Sequence, residues 1–309
     1  MRWVVVAAAV AGFALVSLPG CGPRTAASPD RKAASKDDQE ELLGDAPDWW
    51  TQKPPCPEGA KLEGAAPPEG TEIACKLPDG TFEGPRTVWH ENGKLAEEMF
   101  YRRGKREGTY RAWYPNGKLR EDSRFVQGEL EGDQVLYFET GQKKVSGPYR
   151  KGRENGTFTV WTAGGDKEYS AEYQMGERTG TTVEYYPGGA TSSEIEYRNN
   201  KKHGLAKLFH ENGTLAETGM YNNGQREGLW TKYYDTSRKA EELEYVADQP
   251  HGKLTRWHEN GVKKTDGEYR HGKPNGTWTY YDREEGKVVK TEKYKQGVLV
   301  TRTAKPKQK

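Results

Sequence analysis

The chain lacks most features of an ordinary globular or catalytic protein. Apolar residues make up only 33% of its 309 residues, which argues against a conventional packed core. It contains no phosphate-binding loop, nucleophile elbow or metal-binding motif. Its 48 basic and 46 acidic residues nearly cancel, which gives no electrostatic reason to expect nucleic acid as a partner. We therefore predict a non-enzymatic protein without a catalytic, cofactor or metal site.

Glycine and aromatic residues are abundant instead. The chain holds 37 Gly, 18 Tyr and 9 Trp. Disordered chains are usually poor in aromatics, so simple disorder does not fit this composition. The mixture indicates many short strands joined by tight turns.

The only long apolar run lies at the start of the chain. Val4 to Leu18 is 15 residues long, too short for a membrane span and typical of a signal peptide. It leads into Leu18-Pro19-Gly20-Cys21, which resembles the lipobox of bacterial lipoproteins. This resemblance implies a signal peptide over residues 1–20 and a lipid on Cys21. The alternative is an ordinary signal peptide followed by an incidental cysteine.

Lipidation would place the protein in the cell envelope. The chain would meet the membrane through its lipid alone and face the periplasm or the exterior. Gly22 follows the cysteine where an Asp would signal retention at the inner membrane, so the outer membrane is expected in a Gram-negative cell. Residues 21–48, from the cysteine onward, have the composition of a flexible tether.

Two further cysteines, Cys56 and Cys75, lie in the segment 49–83. In an oxidising compartment they are expected to pair, and the segment is predicted to form an N-terminal cap on the fold. Free or metal-bound thiols are the alternative, although two cysteines without a nearby histidine make a poor zinc site.

A repeat of 24 residues organises the rest of the chain. Each of nine units begins with a glycine, which we call the repeat glycine. These glycines stand at positions 84, 108, 132, 156, 180, 204, 228, 252 and 276. Five residues after each comes an aromatic residue, from Trp89 to Tyr281, and seventeen residues after the first eight comes another, from Tyr101 to Tyr269. We assign the array to residues 84–299 and a basic tail to residues 300–309.

The turns can be read from Pro115-Asn116-Gly117. Proline cannot take the positive φ that a type I′ turn needs first, so a three-residue loop with a left-handed Gly117 fits better. Ser237 replaces this glycine in the seventh unit and should mark the least regular turn. Side chains alternate between the two faces along a strand, and a loop of this length keeps the alternation in step from one strand to the next. Both aromatic series are therefore expected on one face. Small residues often precede the second aromatic by two, which would let a ring lie across the backbone.

These features resemble the MORN repeat, and more closely the variant found in the YwqK-like antitoxin-repeat family. The residues that carry the resemblance include Tyr101, Gly104 and Gly108, and the Trp-His-Glu-Asn-Gly blocks at 89–93 and 257–261. The resemblance implies a fold that is all-β: an elongated, coiled antiparallel β-meander of about nine 24-residue hairpins. About eighteen strands at ~4.8 Å each would span roughly 85 Å. The resemblance implies interaction surfaces rather than one activity, and an antitoxin role sits badly with an exported lipoprotein.

Histidines and acidic pairs invite a chemical interpretation. His90, His210 and His258 share one repeat position, but even the nearest two would lie about 19 Å apart, too far to share a metal ion. Adjacent acidic residues such as Glu97 and Glu98 should point to opposite faces. We interpret both sets as surface strand residues.

Some units carry a further aromatic residue at an even-numbered position, directly after their first aromatic. These residues do not recur in every unit and are the best candidates for a binding surface. They are Tyr114, Phe138, Tyr186 and Tyr234. The leading hypothesis is a scaffold for an unidentified protein partner, and the alternative is a module that binds cell-wall glycan. An antitoxin-like inhibitor of a partner protein is less favoured.

Overall fold

The structure is a computed structural model that describes residues 48–304. In this range one β-strand follows another. Here 23 strands form one open sheet, and every pairing between them is antiparallel and joins strands that are close in sequence. The prediction of an all-β antiparallel meander is confirmed. The predicted signal peptide, Cys21 and nearly all of the tether lie outside these residues.

One turn of 3-10 helix, Trp49–Thr51, precedes the sheet. The strands are β1 (Lys61–Ala65), β2 (Glu72–Lys76), β3 (Phe82–Trp89), β4 (Leu95–Arg102), β5 (Lys105–Trp113), β6 (Leu119–Val126), β7 (Glu129–Leu130), β8 (Gly132–Tyr137), β9 (Lys143–Arg150), β10 (Arg153–Glu154), β11 (Gly156–Trp161), β12 (Lys167–Gln174), β13 (Glu177–Tyr185), β14 (Thr191–Arg198), β15 (Lys201–Phe209), β16 (Leu215–Asn222), β17 (Gln225–Tyr233), β18 (Lys239–Val246), β19 (Gln249–Trp257), β20 (Lys263–Arg270), β21 (Lys273–Tyr281), β22 (Val288–Lys295) and β23 (Val298–Ala304).

Two of these strands are each interrupted once. β7 and β8 both pair with β6, and β10 and β11 both pair with β9, so each couple is one strand in two pieces. Subtracting the two duplicates leaves 23 − 2 = 21 strand positions. Those from β3 to β22 are the two strands of each predicted repeat, and β1, β2 and β23 are additional.

Three-residue loops in the first eight repeats, and a loop one residue longer in the ninth, form one edge of the sheet, which we call the loop edge. The Gly117 N–H donates to the Tyr114 carbonyl, and Gly117 has a φ of 90°, as the sequence predicts. Ser237 has a φ of 64° and donates the equivalent hydrogen bond to Tyr234, at 2.9 Å. The prediction of an irregular turn at Ser237 was therefore wrong.

Two-residue turns between repeats form the other edge, the turn edge. Arg103 and Gly104 have φ values of 50° and 74°, and two consecutive positive values identify a type I′ turn. Asn200 and Asp248 stand where other repeats have this glycine, with φ values of 64° and 66°. Asn and Asp tolerate this conformation better than most residues, which explains the replacements.

A bulge in the second strand of every repeat decides which side chains share a face. Val88 pairs with Glu97 but Trp89 pairs with Leu95, so Ala96 is an extra residue, and the same shift recurs in all nine repeats. The three-residue loop keeps the alternation of side chains between the two faces in step, but the extra residue of the bulge shifts that alternation by one. The two aromatic series therefore lie on opposite faces, and the prediction that they share one face was wrong.

The core lies on the face that carries the later series, which we call the tyrosine face. Its rings are Tyr101, Phe125, Tyr149, Tyr173, Tyr197, Tyr221, Tyr245 and Tyr269. Side chains two residues after the repeat glycines fill the gaps: Trp230 packs edge-on to Tyr221 and Tyr245, with ring centroids 5.0 and 6.4 Å away. Such pairs contribute about 0.5–1.5 kcal/mol each beyond the area they bury, so an aromatic ladder replaces a conventional core.

A disulfide joins the segment before the array to the sheet. Cys56 and Cys75 are bonded, with Cα atoms 5.6 Å apart, and Cys75 is fully buried in β2. Pro57 lies against the first repeat glycine, Gly84, where a Cβ would come within 2.6 Å of the proline ring. The absence of a side chain at Gly84 thus lets this segment pack closely against the array.

Two tryptophans cover the other face of the first repeat. Trp50 packs edge-on to Trp89 at 5.2 Å, and the Trp49 indole N–H donates to Thr87 Oγ1 at 2.9 Å. At the far end, β23 continues to Ala304. The last strand therefore includes residues 300–304, which the sequence assigns to the basic tail.

Candidate functional site

The four aromatic residues predicted to form a binding surface lie in one column along the loop edge. The Tyr114, Tyr186 and Tyr234 hydroxyls each donate to a backbone carbonyl one repeat onward, at 2.7–2.8 Å. Phe138 lies under the Lys144 ammonium group, 5.7 Å from its ring centroid. All four are half-buried. The three tyrosine hydroxyls therefore link successive repeats, which sequence reasoning missed.

The three histidines of this column make the same kind of link. His90 Nε2 lies 2.9 Å from the Trp113 carbonyl oxygen, and His210 Nε2 lies 3.0 Å from that of Tyr233. His258 Nε2 lies 3.5 Å from the Tyr281 oxygen. These imidazoles are spread along the sheet and hold the frame together. These contacts with backbone carbonyls were not predicted from the sequence.

Loop asparagines and lysines strengthen the same edge. The Asn92 and Asn116 side-chain amides donate to carbonyls of the next loop, at 2.8 and 3.0 Å. Lys94 and Lys118 donate to the next loop as well, at 2.9 and 2.6 Å. These recurring polar residues are structural, because each satisfies a backbone group of the neighbouring repeat.

The turn edge has its own repeated contact. The Gln127 and Lys151 N–H groups donate to the carboxylates of Glu107 and Glu131, both at 2.8 Å. His251 Nδ1 takes this acceptor position for His271 N–H, at 3.5 Å. Many charged residues thus stabilise left-handed turns rather than line a reactive cleft.

Acidic pairs on the second strands are divided between the faces, as predicted. Glu97 lies on the tyrosine face and contacts Arg86 at 3.4 Å and Arg120 at 3.6 Å. Glu98 pairs with Thr87 and lies on the opposite face, where burial raises its pKa against the influence of Arg111. The two carboxylates therefore cannot act on one substrate atom.

One buried carboxylate has a dense set of partners. Glu292 is 2% exposed and accepts hydrogen bonds from the Tyr280 and Tyr294 hydroxyls at 2.8 and 3.0 Å. Lys290 and Arg302 also donate to it, at 3.2 and 2.7 Å. The Tyr280 hydrogen bond, followed by those of Lys290 and Tyr294, lowers the pKa of Glu292 to about 2 despite its burial. This network closes the core at β22 and β23, where apolar side chains would otherwise meet water.

The remaining surface of interest is a column of rings on the face opposite the tyrosines. It consists of the first aromatic of each repeat: Trp89, Trp113, Tyr137, Trp161, Tyr185, Phe209, Tyr233, Trp257 and Tyr281. We call this set the ring column. All nine rings are half-buried, so each presents part of its surface to solvent. Successive rings are two strands apart, which is about 9.6 Å by strand spacing.

Within residues 48–304, no group of three or more His, Cys, Asp or Glu residues is arranged to hold a metal ion. No helix in the same range is long and apolar enough to cross a membrane.

Comparison with known families identifies the repeat. Three segments match the model described as a MORN repeat variant: residues 82–103, 106–127 and 202–223. Each segment runs from a first strand through the three-residue loop to the end of the second strand. A search of curated proteins found no match to the chain. The array is thus built from hairpins of which at least these three are MORN-variant repeats.

Proposed function

We propose that this protein is a lipid-anchored scaffold of the bacterial cell envelope that holds a partner protein on a face of its repeat sheet. One observation carries the proposal: the recurring polar side chains at both sheet edges bind neighbouring repeats, which leaves the two faces as the available surfaces. MORN-variant repeats are commonly interaction scaffolds, which supports the same function.

Photo-cross-linking in living cells tests the scaffold role. A photoreactive amino acid would replace Trp161 or Leu229 on one sheet face, or Tyr173 on the other. The proposal expects a discrete protein adduct from at least one of these positions. Absence of any adduct from all three, with the protein correctly folded and localised, would contradict it.

The anchor is tested separately by Cys21→Ser. This substitution removes the only sulfur that could carry the lipid, so the protein should leave the membrane fraction for the soluble fraction. Detergent-dependent recovery of the variant from the membrane pellet, at the wild-type level, would rule out lipid anchoring through Cys21.

A second candidate function is binding to cell-wall glycan, and the ring column favours it. Partly exposed Trp and Tyr rings that recur once in every repeat offer apolar surfaces on which sugar rings can stack. Purified peptidoglycan should then retain the protein, and Trp113→Ala with Trp161→Ala should release it. The matched change Phe138→Ala, at the loop edge, should leave retention unchanged.

A further inference from the structure

The face that carries the ring column also holds an exposed apolar patch, made of Leu205, Met220 and Leu229. Leu205 lies directly opposite Met220 in the pair β15–β16, and Leu229 lies in the bulge of β17 beside Met220. These side chains are 37%, 48% and 52% exposed. Three neighbouring apolar side chains in contact with water indicate a surface that another molecule covers.

The fold does not require apolar side chains here. The pair equivalent to Leu205–Met220 is Thr181–Glu196 in the preceding repeat and Lys253–Glu268 two repeats later. Those repeats keep the same strands, bulges and turns with polar pairs. The apolar patch is therefore a local property of this part of the array.

Exposed carboxylates lie on both sides of the patch. Glu172 and Glu196 hold the Met220 position in the two preceding repeats, and Glu244 and Glu268 hold it in the two later ones. All four are exposed, and in the described part of the chain no basic nitrogen lies within 4.0 Å of any of them. We call them the glutamate row.

One carboxylate beside the patch, that of Glu196, is held in place. Glu196 accepts the Leu205 N–H at 2.9 Å, which fixes its negative charge beside the apolar side chains. By contrast Glu194, two residues earlier on the same strand, is neutralised by Lys207 at 3.3 Å. The sheet thus presents an apolar centre with unpaired negative charge along the same row.

We propose that this surface docks an amphipathic helix of a partner protein, with apolar side chains on the patch and Lys or Arg over the glutamate row. The inference rests on the scaffold function proposed above and specifies the partner's chemistry. Opposite charges across an interface select the partner and speed its association, whereas anionic lipid or nucleic acid would be repelled.

Strand spacing sets the pattern of the expected helix. Glu196 and Glu244, the members of the glutamate row on either side of Met220, each lie two strands, or about 9.6 Å, from it. A helix rises about 1.5 Å per residue, so it would carry a basic residue about six or seven positions from its apolar centre on each side.

Synthetic helices can test this chemistry with the full-length protein. The first peptide would have about 21 residues, with Leu at its centre and Lys on both sides at the expected spacing. In a second, Glu replaces Lys, and in a third, Ser replaces the central Leu. In fluorescence anisotropy we expect binding of the first peptide only, weakening as salt is added. Equal binding of all three would overturn the proposal.

Variants then locate the site. Met220→Ser, and Glu196→Gln together with Glu244→Gln, should each weaken binding by about tenfold. Val126→Ser is the matched control, because Val126 is 37% exposed but lies in the second repeat, away from the glutamate row. Unchanged circular dichroism would show that the variants fold. Wild-type affinity in Met220→Ser, or an equal loss in the control, would contradict the docking site.

Two further outcomes separate this proposal from the scaffold function. A photoreactive residue at position 229 that gives no protein adduct, while one at position 161 or 173 does, would overturn this surface and leave the scaffold role standing. Binding of anionic-lipid vesicles that Met220→Ser abolishes would overturn it in favour of a membrane surface.

Discussion

Three glycines in the core show how a single residue shapes the tyrosine face. Gly147, Gly219 and Gly267 lie beneath the rings of Phe158, Trp230 and Trp278, where an added Cβ would come within 2.2–2.5 Å of ring atoms. The sequence predicts a ring over a glycine but assigns it to the tyrosine of the same strand. The ring belongs to the next repeat, which makes this contact part of the cohesion between repeats.

Gly219→Ala should destabilise the array. Since this glycine does not have a positive φ, the cost arises from the collision with Trp230 alone. We expect a loss of about 1–3 kcal/mol in the free energy of unfolding, measured with urea. Gly164→Ala is the control, because its nearest neighbour, Thr162 Oγ1, is 3.5 Å away, and it should change stability by under about 0.5 kcal/mol. Equal effects would show that the ring contact is unimportant.

Glu292 makes the last repeat sensitive to acid. Its pKa is about 2 in the folded protein and 4.5 as a free side chain. A lowered pKa means that the ionised carboxylate stabilises the folded state above pH 4.5, and that this stabilisation disappears as the pH falls toward 2. Glu292→Gln should therefore lower stability by about 2 kcal/mol at neutral pH and have progressively less effect in acid.

Thermal melts of both forms between neutral pH and pH 2 would measure this difference. Glu284→Gln, at an exposed loop position, serves as the control and should melt like the wild type at each pH. If the difference in melting temperature between Glu292→Gln and wild type stayed constant down to pH 2, the ionised carboxylate could not be its source.

At the scale of elements, the two-residue turns show how the backbone constrains sequence. Ala247 begins a type I′ turn with a φ of 49°, a conformation that alanine resists, and its N–H donates to Glu227 at 3.0 Å. Ala247→Asn should stabilise the protein by about 0.5–1 kcal/mol, because asparagine tolerates this conformation. The reverse change at the equivalent position, Asn199→Ala, should destabilise by a similar amount. If urea titrations showed the same change in unfolding free energy for both variants, they would contradict this account of the turns.

Much of the element pattern can be predicted from the sequence. Repeat glycines, Pro115-Asn116-Gly117 and the strand-like runs determine nine hairpins and their loops, because each signal is local. The bulge at Ala96 leaves no such signal, since no special residue marks it. One unnoticed extra residue per repeat was enough to place both aromatic series on one face in the prediction, although they lie on opposite faces.

The hydrogen bonds of the candidate binding residues could not be predicted from the sequence for a related reason. Tyr114 and Tyr186 each directly follow a residue of the ring column. In the sequence they resemble surface aromatics without partners. Their hydroxyls bind carbonyls 23 residues away, and only the register between repeats shows that contact. The apolar patch was missed because Met220 and Leu205 become neighbours only when β15 and β16 pair.

At the scale of the whole molecule, the contacts along both edges connect each repeat with the next. The Tyr114 hydroxyl reaches Tyr137, and the Gly128 N–H reaches the Arg106 carbonyl, so neither contact skips a repeat. Stability in such an array is approximately a sum of terms within repeats and between nearest neighbours. Local damage should therefore remain local, in contrast to a globule with one shared core.

Hydrogen exchange in Gly117→Val tests this architecture most directly. Gly117 has a φ of 90°, so a β-branched side chain there should cost at least about 1–2 kcal/mol. The account predicts faster amide exchange in residues 100–140 and little change beyond residue 200. Exchange that instead rises uniformly as far as Tyr294 would show one cooperative unit and contradict the neighbour-only array.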